Sequence, residues 1–242
     1  MTYCVALKLN AGLVLLSDTR TIAGLDNIAT YRKMFFFEEP GERVIAIMTA
    51  GSLSVTQTTI SRLREAIEDP DADERTSIMR CPTMLGVADI VGDALARTRR
   101  EIATQCADLK QSQATASMIV AGQRVGGDMR LFLVYPEGNH IEATEDTPYL
   151  QIGEHKYGKP ILDRVVTPAT SLEDAQKAAL LSMDSTMKSN LSVGMPLDLA
   201  VIERDACRVS AKRRIMPADA QFSAMSDAWS EALRDAFVKM PI

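Results

Sequence analysis

The sequence is short of the residues that most often announce chemistry. Its 242 residues include two histidines, His140 and His155. A histidine metal site or a Ser-His-Asp triad would need one of them. His140 follows a turn and His155 sits among charged residues, so both read as exposed loop or strand-edge histidines. G-x-S-x-G, H-E-x-x-H and G-x-G-x-x-G are all missing. The four cysteines, Cys4, Cys81, Cys106 and Cys207, stand far apart with no C-x-x-C pair. They read as free thiols in a reducing cytoplasm, packed as small hydrophobes. No apolar run approaches the ~20 residues of a membrane span. Met1-Thr2-Tyr3-Cys4-Val5 has no basic stretch ahead of an apolar one, so no secretory signal is read. Net charge is −5, with both signs scattered along the chain. A nucleic-acid surface needs a concentrated basic face. The densest basic cluster, Arg97-Thr98-Arg99-Arg100, reads instead as a solvated helix face.

What remains is ordinary globular usage, 46% hydrophobic and 24% charged. The length suits one domain spanning 1–242. The chain opens with strand signals. Tyr3 to Lys8 and Leu13 to Leu16 flank an Asn10-Ala11-Gly12 turn, which predicts a hairpin. Met34 to Phe37 and Val44 to Met48 flank the turn Glu39-Pro40-Gly41-Glu42. The period then changes. Leu53, Thr56, Ile60, Leu63 and Ile67 recur at helical spacing. Asp69 to Pro82 reads as a loop. A second helix carries Val87, Ile90, Val91, Ala94, Leu95 and Ile102 on one face.

Strands resume at Ser117. Met118 to Ala121, Met129 to Tyr135 and His140 to Ala143 are separated by Gly126-Gly127-Asp128 and Pro136-Glu137-Gly138-Asn139. Ser171-Leu172-Glu173-Asp174 is a capping-box pattern that opens a third helix running to about Ser189. Leu197 to Glu203 and Arg208 to Ile215 predict a last hairpin. Phe222, Met225, Trp229, Leu233 and Phe237 mark a C-terminal helix. The order lacks βαβ alternation, so antiparallel sheets covered by helices fit better than a doubly wound parallel sheet.

One motif points the wrong way. Gly153-Glu154-His155-Lys156-Tyr157-Gly158-Lys159 matches the first seven positions of a phosphate-binding loop. Pro160 then stands where a Ser or Thr hydroxyl should hold Mg²⁺, and it removes a backbone donor. Nucleotide binding is not expected.

The N-terminus carries the better chemistry. Initiator-Met removal is expected before a small residue, and it would leave Thr2 with a hydroxyl and a free α-amine. A hydroxyl alone is a poor nucleophile. An amine of pKa about 7.7–8.0 can take its proton near neutrality, and a neighbouring cation lowers that pKa further. Asp18 closes the second strand in Leu15-Leu16-Ser17-Asp18. Lys33 precedes the third in Tyr31-Arg32-Lys33-Met34. Thr49-Ala50-Gly51-Ser52 joins the fourth strand to the first helix.

In order and spacing, Thr2-x-x-Val5, Ser17-Asp18, Lys33 and Ala50-Gly51 resemble the proteasome-type peptidases. The likeness is to the bacterial proteasome homologue (Anbu) group, related to the HslV peptidase and to proteasome β subunits. The resemblance implies an α+β, four-layer αββα sandwich with its site at one end of the sheets. It implies Thr2 as nucleophile, Lys33 as the cation beside it and Asp18 as the partner of Lys33. Gly51 would lend its N–H to an oxyanion, and Asp184 on the third helix would support the amine. Thr49 and Leu53 would line the first specificity pocket. Glu154 and Met187 depart from the pattern, because they stand where the family often has Ser.

The implied activity is that of a cytoplasmic threonine-type peptidase acting on peptides or unfolded proteins once Met1 is removed. No metal, organic cofactor or propeptide is expected. Large homo-oligomers, closed rings or open helices, are implied, and no ATPase-docking motif is read. The rivals are a non-catalytic structural subunit and an N-terminal-nucleophile amidase acting on a small-molecule amide.

Overall fold

The computed structural model describes residues 1–23, 27–105 and 114–241. Cys106 lies outside them. The chain begins with the hairpin β1 (Tyr3–Leu9) and β2 (Gly12–Asp18), then a short hairpin β3 (Arg20–Ala23) and β4 (Asn27–Thr30). Next come β5 (Met34–Glu39) and β6 (Arg43–Gly51), α1 (Leu53–Glu68) and α2 (Met84–Gln105). Strands β7 (Ala116–Arg124), β8 (Arg130–Val134) and β9 (His140–Glu142) form a meander. Then follow β10 (Tyr149–Gly153), α3 (Lys159–Val165), α4 (Leu172–Ser189), β11 (Leu197–Glu203), β12 (Ala211–Ile215) and α5 (Ala220–Lys239).

Among the described residues, two five-stranded antiparallel sheets form, ordered β10-β1-β2-β11-β12 and β5-β6-β7-β8-β9. Three separate cores show how they stack. On the first sheet, Tyr3, Val5, Leu7, Val14, Leu16, Leu197 and Leu199 pack against Ala175, Ala178, Ala179 and Met183 of α4, together with Leu162 and Phe222. The alternate residues Cys4, Ala6, Leu13, Leu15, Ala200 and Ile202 face Val44, Ala46, Met48, Ala50, Ile119 and Ala121 of the second sheet. That sheet turns Ile45, Ile47, Met118, Val120 and Phe132 toward Val55, Ile60, Val87, Val91 and Leu95 of α1 and α2. The result is the expected four-layer αββα sandwich. Side chains alternate across a strand, so the central strands β1, β2 and β6 read as nearly continuous apolar runs because both of their faces are covered.

The local signals act as their chemistry requires. Ser171 caps α4 and accepts the N–H of Asp174, which satisfies one orphan donor of the first turn. The loop after α1 also contributes to a core, since Ile78 and Cys81 sit beneath it. Arg97 and Arg100 lie exposed on α2 while Thr98 faces inward, as a solvated helix face demands. His140 pairs with Asp89 at 2.9 Å. His155 is exposed beside the Gly153 carbonyl. No helix among the described residues is long and apolar enough to cross a membrane.

Candidate active site

Thr2 lies immediately ahead of β1 and is 8% exposed, whereas Met1 before it is 63% exposed. Its carbonyl accepts the N–H of Glu154 at 2.6 Å. Cys4 pairs with Ser17 in the hairpin. One residue further, the Tyr3 N–H donates to Asp18 Oδ1 at 3.1 Å. Asp18 is fully buried. The same oxygen accepts the Lys33 ammonium at 2.8 Å. Lys33 also donates to the Arg20 carbonyl at 2.6 Å, and the Gly194 N–H reaches Asp18 Oδ2 at 3.4 Å. The Thr49 N–H donates to the Lys33 carbonyl at 2.8 Å. Two residues on, β6 ends at Gly51. Thr2 through its neighbour, Asp18, Lys33, Thr49 and Gly51 therefore gather at one end of both sheets. Asp18 belongs to the first sheet, and Lys33 immediately precedes the second.

The electrostatics follow from burial. Desolvation pushes the Asp18 carboxyl above the ordinary aspartate range, and Lys33 with the N–H groups of Tyr3 and Gly194 pulls it back. A buried carboxylate needs such partners, since an isolated buried charge is very costly. Burial and the Asp18 charge also push the Cys4 thiol up. Cys4 therefore stays a neutral thiol that reaches toward the Thr49 carbonyl, although it lies two residues from Thr2. Among the described residues, no group of three or more His, Cys, Asp or Glu could hold a metal ion.

Gly51 has a backbone reason of its own. Its φ is +113°, and a Cβ there would lie 2.4 Å from the Thr115 carbonyl oxygen. Only glycine fits that turn. Asp184 sits on the inner part of α4, where its carboxylate takes Ser226 Oγ of α5 at 2.8 Å and the Lys188 ammonium at 3.0 Å. Among the described residues no hydrogen bond joins Asp184 to Thr2. Met187 packs against the core between sheet and helix. Glu154 turns its carboxylate to Asn190 Nδ2 at 3.1 Å. Leu53 begins α1, half-buried.

A profile of the proteasome subunit family matches residues 2–202. The chain belongs to the proteasome family. Among solved structures it is similar to Anbu (ancestral beta-subunit) from Yersinia bercovieri, with 40% identity over 99% of this chain and 98% of that one, at a TM-score of 0.91. It is also similar to Anbu from Hyphomicrobium sp. strain MC1, at 48% identity, coverages of 99% and 98% and a TM-score of 0.90. A structure described as the helical assembly of the Anbu complex from Pseudomonas aeruginosa matches at 42% identity, coverages of 99% and 97% and a TM-score of 0.91. No curated protein matches.

In this proteasome-family chain, sequence reasoning passed over several groups that touch the site. Gly194 and the Arg20 carbonyl act through the main chain, which leaves no trace in residue type. Tyr3 and Ser182 pair their buried hydroxyls, and the half-buried Gln151 amide donates to the Tyr3 hydroxyl. The signals near them were the glycine pair Gly153 and Gly158 and the place of Ser182 among the small residues on the buried face of α4, neither of which points to a hydrogen bond with Tyr3.

Proposed function

We propose that this chain is a threonine-type peptidase that uses Thr2 as its nucleophile once Met1 is removed. The observation that carries the reading is the buried Asp18–Lys33 pair, bonded through a shared oxygen to the residue beside Thr2. A scaffold would gain little from it, since a buried ion pair is often no more stabilising than apolar residues of the same volume. A threonine nucleophile does gain. The Asp18 carboxylate holds the Lys33 ammonium at this end of β1, and that charge would lower the pKa of the freed α-amine, so more of it is unprotonated near neutral pH.

In this mechanism the Thr2 amine, directly or through a water, takes the Oγ1 proton as Oγ1 attacks the peptide carbonyl. The Gly51 N–H stabilises the oxyanion. The amine returns the proton to the departing peptide amine, and water then hydrolyses the ester to release the acyl half and free Thr2. Thr49 and Leu53 line the first specificity pocket. Asp184 acts on the amine through the position of α4 rather than by contact. The reading requires neither metal nor organic cofactor. We place the enzyme in the cytoplasm as a homo-oligomer acting on peptides or unfolded proteins. The similarity to a chain known from a helical assembly supports self-association.

A non-catalytic structural subunit is the second reading, favoured by the engagement of Asp184 with Ser226 and Lys188. Intact mass after incubation with an epoxyketone or β-lactone separates the two. The peptidase reading expects loss of the Met1 mass and gain of one adduct, with no adduct on Thr2→Ala. Retained Met1, or a trimmed Thr2 that never reacts, would leave the structural subunit.

A further inference from the structure

The glycine spacing that mimics a phosphate loop has a different use here. Gly153 has φ +82° and pairs with Tyr3 across β10 and β1. A Cβ on Gly153 would lie 1.9 Å from the Thr2 carbonyl oxygen. A Cβ on Gly158 would lie 2.1 Å from Ser182 Oγ and 2.8 Å from Tyr3 Oη. The two glycines thus make room for two consecutive residues, the proposed nucleophile and its neighbour. Between them the Glu154 N–H holds the Thr2 carbonyl at 2.6 Å.

Tyr3 is fully buried. Its hydroxyl accepts Gln151 Nε2 at 2.6 Å and pairs with Ser182 Oγ of α4 at 2.5 Å. A phenylalanine would bury as much ring surface there. The hydroxyl is therefore not needed for apolar packing, and removing it would leave the buried Ser182 hydroxyl short of a partner, while the half-buried Gln151 amide would keep only the His155 carbonyl at 3.4 Å. At its other end, the Tyr3 N–H donates to the oxygen that also holds Lys33. The residue spans the distance from α4 and β10 to the buried ion pair.

We infer that Tyr3, clamped by Gln151, Ser182 and the two glycines, is a positioning residue that sets Thr2 against the Asp18–Lys33 pair. This rests on the peptidase reading for its catalytic consequence and on geometry alone for the clamp. The test uses the full-length protein as wild type, Tyr3→Phe, Ser182→Ala and the double variant. One arm follows β-lactone inactivation, separating the limiting rate from the half-saturating concentration. The other follows hydrogen exchange of the residue-3 amide.

The expected result for Tyr3→Phe is a limiting rate lower by about tenfold, the scale of one buried hydrogen bond, with half-saturation unchanged. The residue-3 amide should exchange about tenfold faster, with little change along the rest of β1. The double variant should lose no more than Tyr3→Phe alone. Should Tyr3→Phe fail to fold, Ser182→Ala carries the same two measurements. Unchanged exchange at residue 3 overturns the clamp whatever Thr2 does. Faster exchange with an unaltered limiting rate overturns its role in positioning. A wild type that never takes the β-lactone defeats the peptidase reading, while the exchange arm still decides the clamp.

Discussion

The start of β1 and the far end of α5 follow opposite rules. Around Thr2, Tyr3 and Asp18 are fully enclosed and Lys33 is 5% exposed. Along α5, Phe222 is 7% exposed, yet Phe237 and Val238 are each 81% exposed. Phe222 and Phe237 belong to the same run of apolar residues at helical spacing. Periodicity reports that a helix has an apolar side. It does not report what covers that side. Near Thr2 even charged groups are held by the fold, whereas at the end of α5 large apolar groups lie outside the chain's own core.

That contrast can be broken by substitution. Lys33→Ala should have the largest effect. It strands the Asp18 carboxylate, and losing one partner of a buried pair costs about 3–5 kcal/mol. Chemical denaturation measures this, and a loss below 1 kcal/mol would mean the pair is hydrated. Leu16→Ala removes a fully buried side chain and should cost about 2–5 kcal/mol by the same measurement. Ser171→Ala removes the cap of α4 and should cost about 1 kcal/mol. Phe237→Ser should stay within about 0.5 kcal/mol of wild type, as exposed sites do. A large loss there would show that the end of α5 is covered after all.

The pH dependence sharpens the first of these. The folded Asp18 pKa is raised, so its contribution to stability is fully present below the unfolded value of about 3.9 and is lost as pH rises through the folded value. Stability of wild type relative to Asp18→Asn should therefore rise as pH falls from neutrality toward 4. Denaturation of both proteins across that range checks the sign, and a fall would reverse it.

Much of this was legible in residue order. The opening hairpin, β5 and β6, the two long helices and the capped α4 all appear where periodicity, turn residues and caps place them. Asp18 and Lys33 were visible as a carboxylate and a cation at strand ends, and the structure brings them to 2.8 Å. Other parts left no signal. The hairpin of β3 and β4 has only four residues per strand, with polar and apolar residues mixed. Strand β10 merges into the glycine motif that follows it, and α3 is a seven-residue helix led by Lys159 and Pro160. Strand β12 starts at Ala211 rather than Arg208, because the connection runs on through Ser210, whose hydroxyl takes the Glu203 N–H in place of a backbone ladder. The bonding of Asp184 to Ser226 was hidden because it joins residues 42 apart on two helices.

The core between the sheets is rich in alanine: Ala6 and Ala200 on one side, Ala46, Ala50 and Ala121 on the other. Small side chains let the sheets approach closely. Strands β1 and β2 fix Thr2 and Asp18, while β6 carries Gly51 on the opposing sheet. The gap across these alanines is thus a ruler for the site. Two methyl groups added far from Thr2, as in Ala121→Val, would lengthen that ruler and retune the reactivity proposed for Thr2 with every chemical group still in place.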